Sequence, residues 1–355
     1  MSSPENNLVH FFIDPLLLQS FHFGIIESKN IKHKKKNYSV NRSKRELGKI
    51  WDLIRGGRQK WLGYPFLHKA FKKNHGYLFD LKNPITHNQR IVHKMIIDRN
   101  PLMVITADRV KVRDYVLKIL GPEEGRKILI PLYFISKTGQ DIPHQSWDFE
   151  FFMKANHSSG DNMLIQPGED PEKLKTLCKK WLRTSYGQPF HEWAYRDIPR
   201  RITCEKVLRD GNGLIPMDLK FYCFHGRVKM IYFLKDRFGD QTSLILDENL
   251  KEIPGSQMLG GKKMDTVPVF SNFEKMIEIS ERLSKALDFC RVDLYDVDGN
   301  IYFGEITHYS AAGTHRFDDF DTDLAYGEMW KEENKNQNFF QIYDEIKSRS
   351  ENRVI

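Results

Sequence analysis

Near the C-terminal end of the sequence an arginine and two carboxylates recur at two-residue spacing: Arg291-Val292-Asp293, then Phe303-Gly304-Glu305-Ile306-Thr307. Residues two apart on a strand share a face. Adjoining strands could therefore present Arg291, Asp293, Glu305 and Thr307 together. Mg2+ is usually held by one or two carboxylates plus substrate phosphates, and arginine suits phosphoryl oxygens. Tyr302, Phe303 and Ile306 indicate a partly buried site, where unpaired carboxylates would be costly. A structural arginine–carboxylate pair is the competing reading. A second pair, Asp218 and Lys220, alternates with Met217, Leu219, Phe221 and Cys223. It matters to chemistry if its face lines a cleft; otherwise it is a surface ion pair of little value. Asp236-Arg237, at the end of the returning strand, would lie near the same cleft. Third, Lys154 ends a strand and is followed by Ser158, Ser159 and Gly160. An ammonium and free backbone N–H groups there could meet phosphate oxygens. The pattern is not G-x-x-x-x-G-K-[ST], and an exposed lysine beside a polar turn would look the same. No G-x-S-x-G and no Cys/His nucleophile pairing occurs. His308 is either a ligand or a locally satisfied histidine.

The elements that must position these residues follow from pattern. Leu47, Ile50, Trp51 and Ile54 are helically spaced up to Gly56-Gly57. An apolar strand is expected at Leu102–Ile105, then a helix with Val112, Tyr115, Val116 and Ile119 on one face, stopped by Gly121-Pro122. Strands are expected at Ile128–Ile135, Phe149–Lys154 and Arg201–Leu208. Asp170-Pro171 opens a helix whose Leu174, Leu177, Cys178, Trp181 and Leu182 face inward. Met217–Phe224 turns at His225-Gly226 into Arg227–Leu234. Ser271-Asn272-Phe273-Glu274 has the form of a capping box before a helix with Phe273, Met276, Ile277, Leu283 and Leu287 inside. Arg291–Val297 and Ile301–Thr307 form a hairpin. A two-residue Asp298-Gly299 turn would put Asp293 and Glu305 on opposite faces. A three-residue loop, pairing Asp296 with Asn300, sets Arg291 opposite Glu305 and Asp293 opposite Phe303, so all four chemical residues share a face. The three-residue loop is therefore expected. Helices and mostly antiparallel hairpins in separate runs indicate α+β.

Composition bounds the rest. The 355 residues suffice for one large domain or two to three subdomains. Apolar residues at 40% and charged residues at 29% exclude disordered and collagenous classes. The net charge of +8 suits an anionic partner such as a nucleotide, a phosphate or an acidic sugar, and is too small to argue for nucleic acid. Cys178, Cys204, Cys223 and Cys290 form no C-x-x-C pair, so zinc and disulfide frameworks are not expected. Residues 1–45 read as an appended leader: an apolar piece, Phe11–Ile26, and the basic run Lys32–Lys36. The first basic residue is Lys29, so no secretory signal is read. Asp14, Pro15, Gln19 and His22 interrupt the apolar piece, so no membrane span is expected. The basic run is a solvated linker or a contact with anionic lipid or polysaccharide. A cytoplasmic location is expected.

The order of the motifs resembles the ATP-grasp superfamily. From Trp51 to about Trp330 it is more closely similar to the TupA-like ATP-grasp proteins of bacterial surface-polysaccharide and teichuronopeptide biosynthesis. The resemblance is carried by Phe152-Met153-Lys154-Ala155-Asn156-His157, Arg201-Ile202-Thr203-Cys204-Glu205, Asp218 to Gly226, Arg291 to Tyr295, and Tyr302 to Thr307. It implies two α+β subdomains clasping ATP, after a small helical N-terminal region. The division expected is a leader (1–45), a mixed region (46–105), one ATP-grasp subdomain (106–210), a second (211–335) and a C-terminal tail (336–355). The resemblance implies that Lys154, with Ser158, Ser159 and Gly160, meets ATP phosphates. It makes Glu205, Lys206, Val207 and Leu208 the hinge against adenine and ribose, and turns Asp218 toward the nucleotide. Arg291, Lys220 and Arg237 form the catalytic set. Asp293 and Glu305 hold Mg2+, with Mn2+ as an alternative. Many ATP-grasp enzymes carry asparagine where this chain has Thr307, the third metal position.

The activity so implied is carboxylate–amine ligation through an acyl phosphate, releasing ADP. The substrates would be a small carboxylate and an amine, one of them linked to an acidic surface polysaccharide or its precursor. Two rivals stay open. One is a glycosyltransferase of a polysaccharide locus, although no D-x-D is present. The other is a non-catalytic module binding anionic polymer, which leaves the carboxylates unexplained.

Overall fold

The computed structural model describes residue 57 and residues 59–351, except 185, 188–190, 237–239 and 256–261. The leader, the helix expected over Leu47–Ile54 and the catalytic candidate Arg237 lie outside the described residues.

Helices come first: α1 (Pro65–His75), α2 (His87–Ile96), α3 (Pro101–Ala107), α4 (Lys111–Leu120) and α5 (Pro122–Ile128). A capping box opens α2, with Thr86 accepting from Gln89 N. The strand expected at Leu102–Ile105 is instead helix α3. Pro101 sits at its first turn, where a missing N–H costs nothing, and the Asn100 side chain accepts from Leu102 N. Local capping outweighs the β-branched pair Val104-Ile105. In α4, Val112, Tyr115 and Val116 are buried as their spacing predicts. The strand expected from Ile128 starts later, because α5 runs through that residue.

A four-stranded antiparallel sheet follows, from β1 (Leu132–Ser136), β2 (Phe151–Ala155), β3 (Asn162–Ile165), the helix α6 (Pro171–Trp181) and β4 (Ile202–Lys206). Its order is β1-β4-β2-β3. Phe151, Met153, Ala155, Ile165, Ile202 and Cys204 form one core with Leu174, Cys178 and Trp181 of α6. The two-residue alternation then sends Phe152, Lys154, Thr203 and Glu205 to the opposite face.

The second sheet has six strands: β5 (Asp218–Phe224), β6 (Arg227–Lys235), β7 (Thr242–Leu246), β8 (Lys262–Lys263), and, after helix α7 (Phe273–Ser284), β9 (Phe289–Val297) and β10 (Asn300–Thr307). The order is β10-β9-β5-β6-β7-β8. Leu219, Phe221, Cys223, Val292 and Leu294 pack with Met276, Ile279 and Leu283 of α7 in the main core. Asn272 precedes α7 but does not cap it: its amide donates to Gly299 O at 2.7 Å, so the expected capping box is absent and α7 is tied to the β9–β10 turn. The helices α8 (Phe320–Glu328) and α9 (Phe339–Glu351) end the described chain. Phe339, Ile342 and Ile346 of α9 join the main core, so the segment expected as a tail is docked. All four cysteines are free and buried. Among the described residues no helix is long and apolar enough to cross a membrane.

The β9–β10 hairpin corrects one expectation and keeps its consequence. Asp298 and Gly299 both have left-handed φ, 52° and 80°, and Val297 pairs with Asn300. The loop therefore has two residues, as Asp-Gly favours. A β-bulge between Phe303 and Glu305 then shifts the register by one. Phe303 opposes Leu294, Glu305 opposes Asp293, and Thr307 opposes Arg291. The extra residue is Gly304, whose missing side chain matters. A Cβ there would lie 3.0 Å from the Tyr295 ring and 3.1 Å from Asp293 O.

Gly304→Ala should therefore strain the bulge, at about 1–3 kcal/mol. Thermal unfolding should show a lower midpoint than for a control substitution at exposed Asn300. An unchanged midpoint would mean that the bulge relaxes freely.

Candidate functional site

Charged side chains from both sheets and from the α3–α4 junction meet in one network. On the first sheet, Lys154 Nζ lies 2.6 Å from Glu205 Oε2. Burial alone would raise the Glu205 carboxyl. Lys154 first, then Arg109 and Arg113, outweigh it and hold the group below its ordinary range. The strand end is fixed by Asn156, which is fully buried. Its Oδ1 accepts from Arg201 N at 2.7 Å, and its Nδ2 donates to Asp108 Oδ1 at 2.8 Å and Pro199 O at 2.9 Å. Asp108 Oδ1 also accepts from Val110 N at 2.9 Å. Asn156 thus clamps the Lys154 strand to the turn that carries Arg109.

On the second sheet, strand pairing sets Lys220 opposite Asp293 and Tyr222 opposite Arg291. Lys220 Nζ donates to Asp293 Oδ2 at 2.9 Å and to Asp218 Oδ1 at 3.4 Å. Arg291 clamps Asp293 with two bonds, Nε to Oδ1 at 2.6 Å and Nη2 to Oδ2 at 2.7 Å. The same Nη2 donates to Glu305 Oε1 and to Thr307 Oγ1, each at 3.2 Å. Thr307 Oγ1 donates in turn to Glu305 Oε1 at 3.1 Å. Burial works against the Arg291 charge, but Asp293 and Glu305 raise its pKa well above the ordinary value. The four residues expected to share a face do so.

Arg109 joins the two sheets. Its Nη2 lies 2.8 Å from Glu305 Oε2, and it also feels Glu205. Neither Arg109 nor Arg113 was singled out by motif. The available signal was an Asp-Arg pair directly ahead of an amphipathic helix, a placement that brings the guanidinium to a helix start. Also missed was the segment Tyr186 to Tyr195. Glu192 is buried, with 5% of its surface exposed. Burial raises its carboxyl to about 8. Both Tyr186 and Tyr195 feel the charge of Glu305.

The remaining candidates are placed as follows. Ser158 is buried, whereas Ser159 and Gly160 are exposed at the loop tip. Lys206 N donates to Pro131 O at 2.9 Å while its side chain is exposed. Val207 is buried, and Leu208 packs with Ile130 and Val297 beside Tyr295 and Tyr302. Leu132 and Ile135 oppose Glu205 and Thr203, so they share their face. There they line a cavity of about 490 Å3 with Val110, Arg113, Leu117 and Leu129. His308 is a structural residue: Nε2 meets Thr106 Oγ1 at 2.7 Å, and burial lowers its pKa to about 3.

Among the described residues no group of three or more His, Cys, Asp or Glu could hold a metal unaided. Asp293 and Glu305 face each other across one strand pair. A two-carboxylate set of this kind fits Mg2+, which takes few protein oxygens and completes its shell with phosphate and water.

Two sheets thus direct lysine, arginine and paired carboxylates into one network. The TupA-like ATP-grasp family matches residues 89–331, and the chain belongs to that family. No curated protein matches it. Among solved structures, the chain is similar to a D-alanine–D-alanine ligase from Bacillus anthracis complexed with ATP. The identity is 16% and the TM-score 0.33, over 58% of this chain and 54% of that one. It is also similar to the VanG D-Ala:D-Ser ligase from Enterococcus faecalis, with 12% identity and a TM-score of 0.37 over 67% of this chain and 62% of that one. A third is a D-alanine–D-alanine ligase from Helicobacter pylori, with 14% identity and a TM-score of 0.37 over 64% and 59%. The chain thus spans less than two thirds of each. Likenesses of this size say nothing of substrate.

Glu192 gives this site a pH signature. Its folded pKa, about 8, exceeds the ordinary 4.5. The stability it contributes is therefore fully present below pH 4.5 and is lost as pH rises through about 8. Glu192→Gln should be matched to wild type in thermal midpoint near pH 5 and more stable than wild type near pH 9. A difference that does not change with pH would show that the carboxyl titrates normally.

Proposed function

We propose that the protein is an ATP-dependent carboxylate–amine ligase. The observation that carries this reading is the network joining Lys154, Arg109, Lys220 and Arg291 to Glu205, Asp293 and Glu305. Lys154, with the Ser159-Gly160 tip, would bind phosphate oxygens of ATP. Arg109 lies where it can exchange Glu305 for a phosphate. Glu205, Lys206, Val207 and Leu208 would edge the base and ribose, and the cavity of about 490 Å3 beside them, lined by apolar side chains together with Arg113, Asp114 and Arg126, has room for an aromatic ring. Asp293 and Glu305 would hold Mg2+, with Thr307 bonded to Glu305 in the asparagine position of many relatives. When bound, that ion supplies neutralisation and alignment of the phosphate oxygens.

In the reaction a carboxylate oxygen attacks the γ-phosphorus. The bond to the β,γ-bridging oxygen breaks, and ADP leaves with the electron pair. An amine nitrogen then attacks the acyl carbon, the acyl C–O bond breaks, and inorganic phosphate leaves. The amine proton passes to phosphate or water. No enzyme nucleophile is required. This agrees with burial raising the thiols of Cys178 and Cys204 to about 11 and about 12. Arg291 would meet charge on the transferred phosphoryl group, and Lys220, bonded to Asp293 at 2.9 Å, would orient that carboxylate. Catalysis would rest on positioning and fixed charge. Family membership favours an amino acid joined to an acidic surface polysaccharide or its precursor, and the net charge of +8 suits such an anion.

Incubation with ATP, Mg2+, uronic acids and pooled amino acids should release ADP only when both an acceptor amine and a carboxylate are present. ADP release indifferent to both would exclude the ligase. Lys154→Ala should weaken ATP binding by about tenfold or more while the fold survives, since Arg109 and Arg113 still face Glu205. Unchanged affinity by calorimetry would remove Lys154 from the site. Arg291→Ala leaves Asp293 and Glu305 without their shared cation. That should lower the thermal midpoint, and millimolar Mg2+ should restore more of it than in wild type. Equal Mg2+ effects on both proteins would argue against the metal assignment.

A further inference from the structure

Ahead of α1 the chain turns sharply, and the turn carries apolar side chains outward. Gly63 and Tyr64 both take left-handed φ, 72° and 62°. Tyr64 N donates to Gln59 O at 2.7 Å, Gly63 N to Lys60 O at 3.2 Å, and Phe66 N to Gln59 Oε1 at 3.1 Å. The Tyr64 ring is buried in the main core and meets His191 edge-on, with centroids 5.0 Å apart. Three hydrogen bonds and one buried ring thus fix the turn with its neighbours pointing away from the core. Trp61 is accordingly 84% exposed, Leu62 46% and Phe66 39%.

Helix α1 continues this arrangement. Its buried residues are Leu67 and Phe71, one turn apart, so the opposite face is the outer one. Phe66, Lys69 and Lys73, at i, i+3 and i+7, recur on that outer face, and Lys72 is exposed beside them. Between Asp52 and Asp80 the sequence holds six Lys or Arg and no Asp or Glu. Exposed Trp, Leu and Phe flanked by lysines, with no carboxylate among them, match the chemistry of a membrane surface. The apolar side chains enter the boundary between headgroups and acyl chains. The ammonium groups stay with anionic headgroups while their alkyl stems lie along the apolar layer. A protein partner is a poorer occupant. Three side chains, two of them more than half covered already, offer well below the roughly 800 Å2 that one side of a stable protein interface buries. A bilayer sets no such threshold, because binding there accumulates over a few side chains and cations.

We propose that the Trp61-Leu62-Phe66 turn and the outer face of α1 form a docking surface for an anionic membrane, entering the headgroup layer without crossing it. No part of this rests on the ATP reading of the site.

The test is flotation of the full chain with phosphatidylcholine vesicles, with and without about a third of phosphatidylglycerol. Wild type should float with the anionic vesicles and stay behind with the neutral ones. Trp61→Ala should weaken binding by about tenfold. Its thermal midpoint should stay that of wild type, since the ring is mostly in water. Lys60→Glu with Lys72→Glu should weaken binding by about 25-fold or more, at about fivefold for each cation lost. Lipids with brominated chains should quench the fluorescence of wild type more than that of Trp61→Phe, which keeps an aromatic anchor and still floats. A wild type that binds neither kind of vesicle overturns the proposal. Binding that Trp61→Ala leaves unchanged also overturns it and assigns the contact to another part of the chain. A concentration-dependent dimer that Trp61→Ala dissociates, with no flotation, makes the patch an interface between copies and overturns it too.

Discussion

Everything in the site depends on how its carboxylates are countered. Glu205, Asp218 and Asp293 are buried, and Glu305 is half-buried. Each must meet a cation, because an uncompensated buried charge costs several kcal/mol, of order 3–5 when one partner is removed. Lys154, Lys220, Arg109, Arg113 and Arg291 meet this need. The geometry of the fold follows from that requirement. Lys154 and Glu205 must sit on adjacent strands of the first sheet. Asp293 must face Glu305 and Lys220 on the second. Arg109 must come from the α3–α4 junction to reach Glu305.

The bulge at Gly304 is the backbone's answer to the same demand. A two-residue Asp298-Gly299 turn alone would have put Glu305 on the α7 face, in the apolar core with Val292 and Leu294. One extra residue reverses the parity for Glu305 and Thr307 while leaving Phe303 opposite Leu294. The hairpin thus keeps the turn that its sequence favours and the face that its charges need. Strand parity points to the right face but to the wrong device, because a bulge leaves no mark in a period-two pattern beyond one glycine.

Legibility varied with the range of the interaction. Helices α4 and α6 and strands β5, β6 and β9 were readable because each buries one periodic face. The Lys154, Asp218–Lys220 and Arg291–Thr307 groups were readable because strand parity brings them together locally. What failed was set by one or two bonds. Asn100 and Pro101 turned Leu102–Ile105 into a helix. Asn272 gave its amide to Gly299 instead of capping α7. Arg109 and Glu192 were invisible for another reason. The partner of Arg109, Glu305, is far away in sequence, and a single arginine or glutamate has no spacing to read.

The balance of charge also bears on ligand binding. The cations are partly buried and oriented by carboxylates. A polyphosphate arriving at Arg291, Arg109 and Lys154 would therefore replace one set of anionic oxygens by another, and the cost of ordering those long side chains is met on folding. Asp293 would keep Lys220, but both it and Glu305 would share less positive charge once the phosphates take the arginines. A divalent cation arriving with the nucleotide would make up that loss, whereas a nucleotide alone would leave two carboxylates beside its own negative charge. On the proposed reading, the same pairing would favour metal-complexed nucleotide over the free anion.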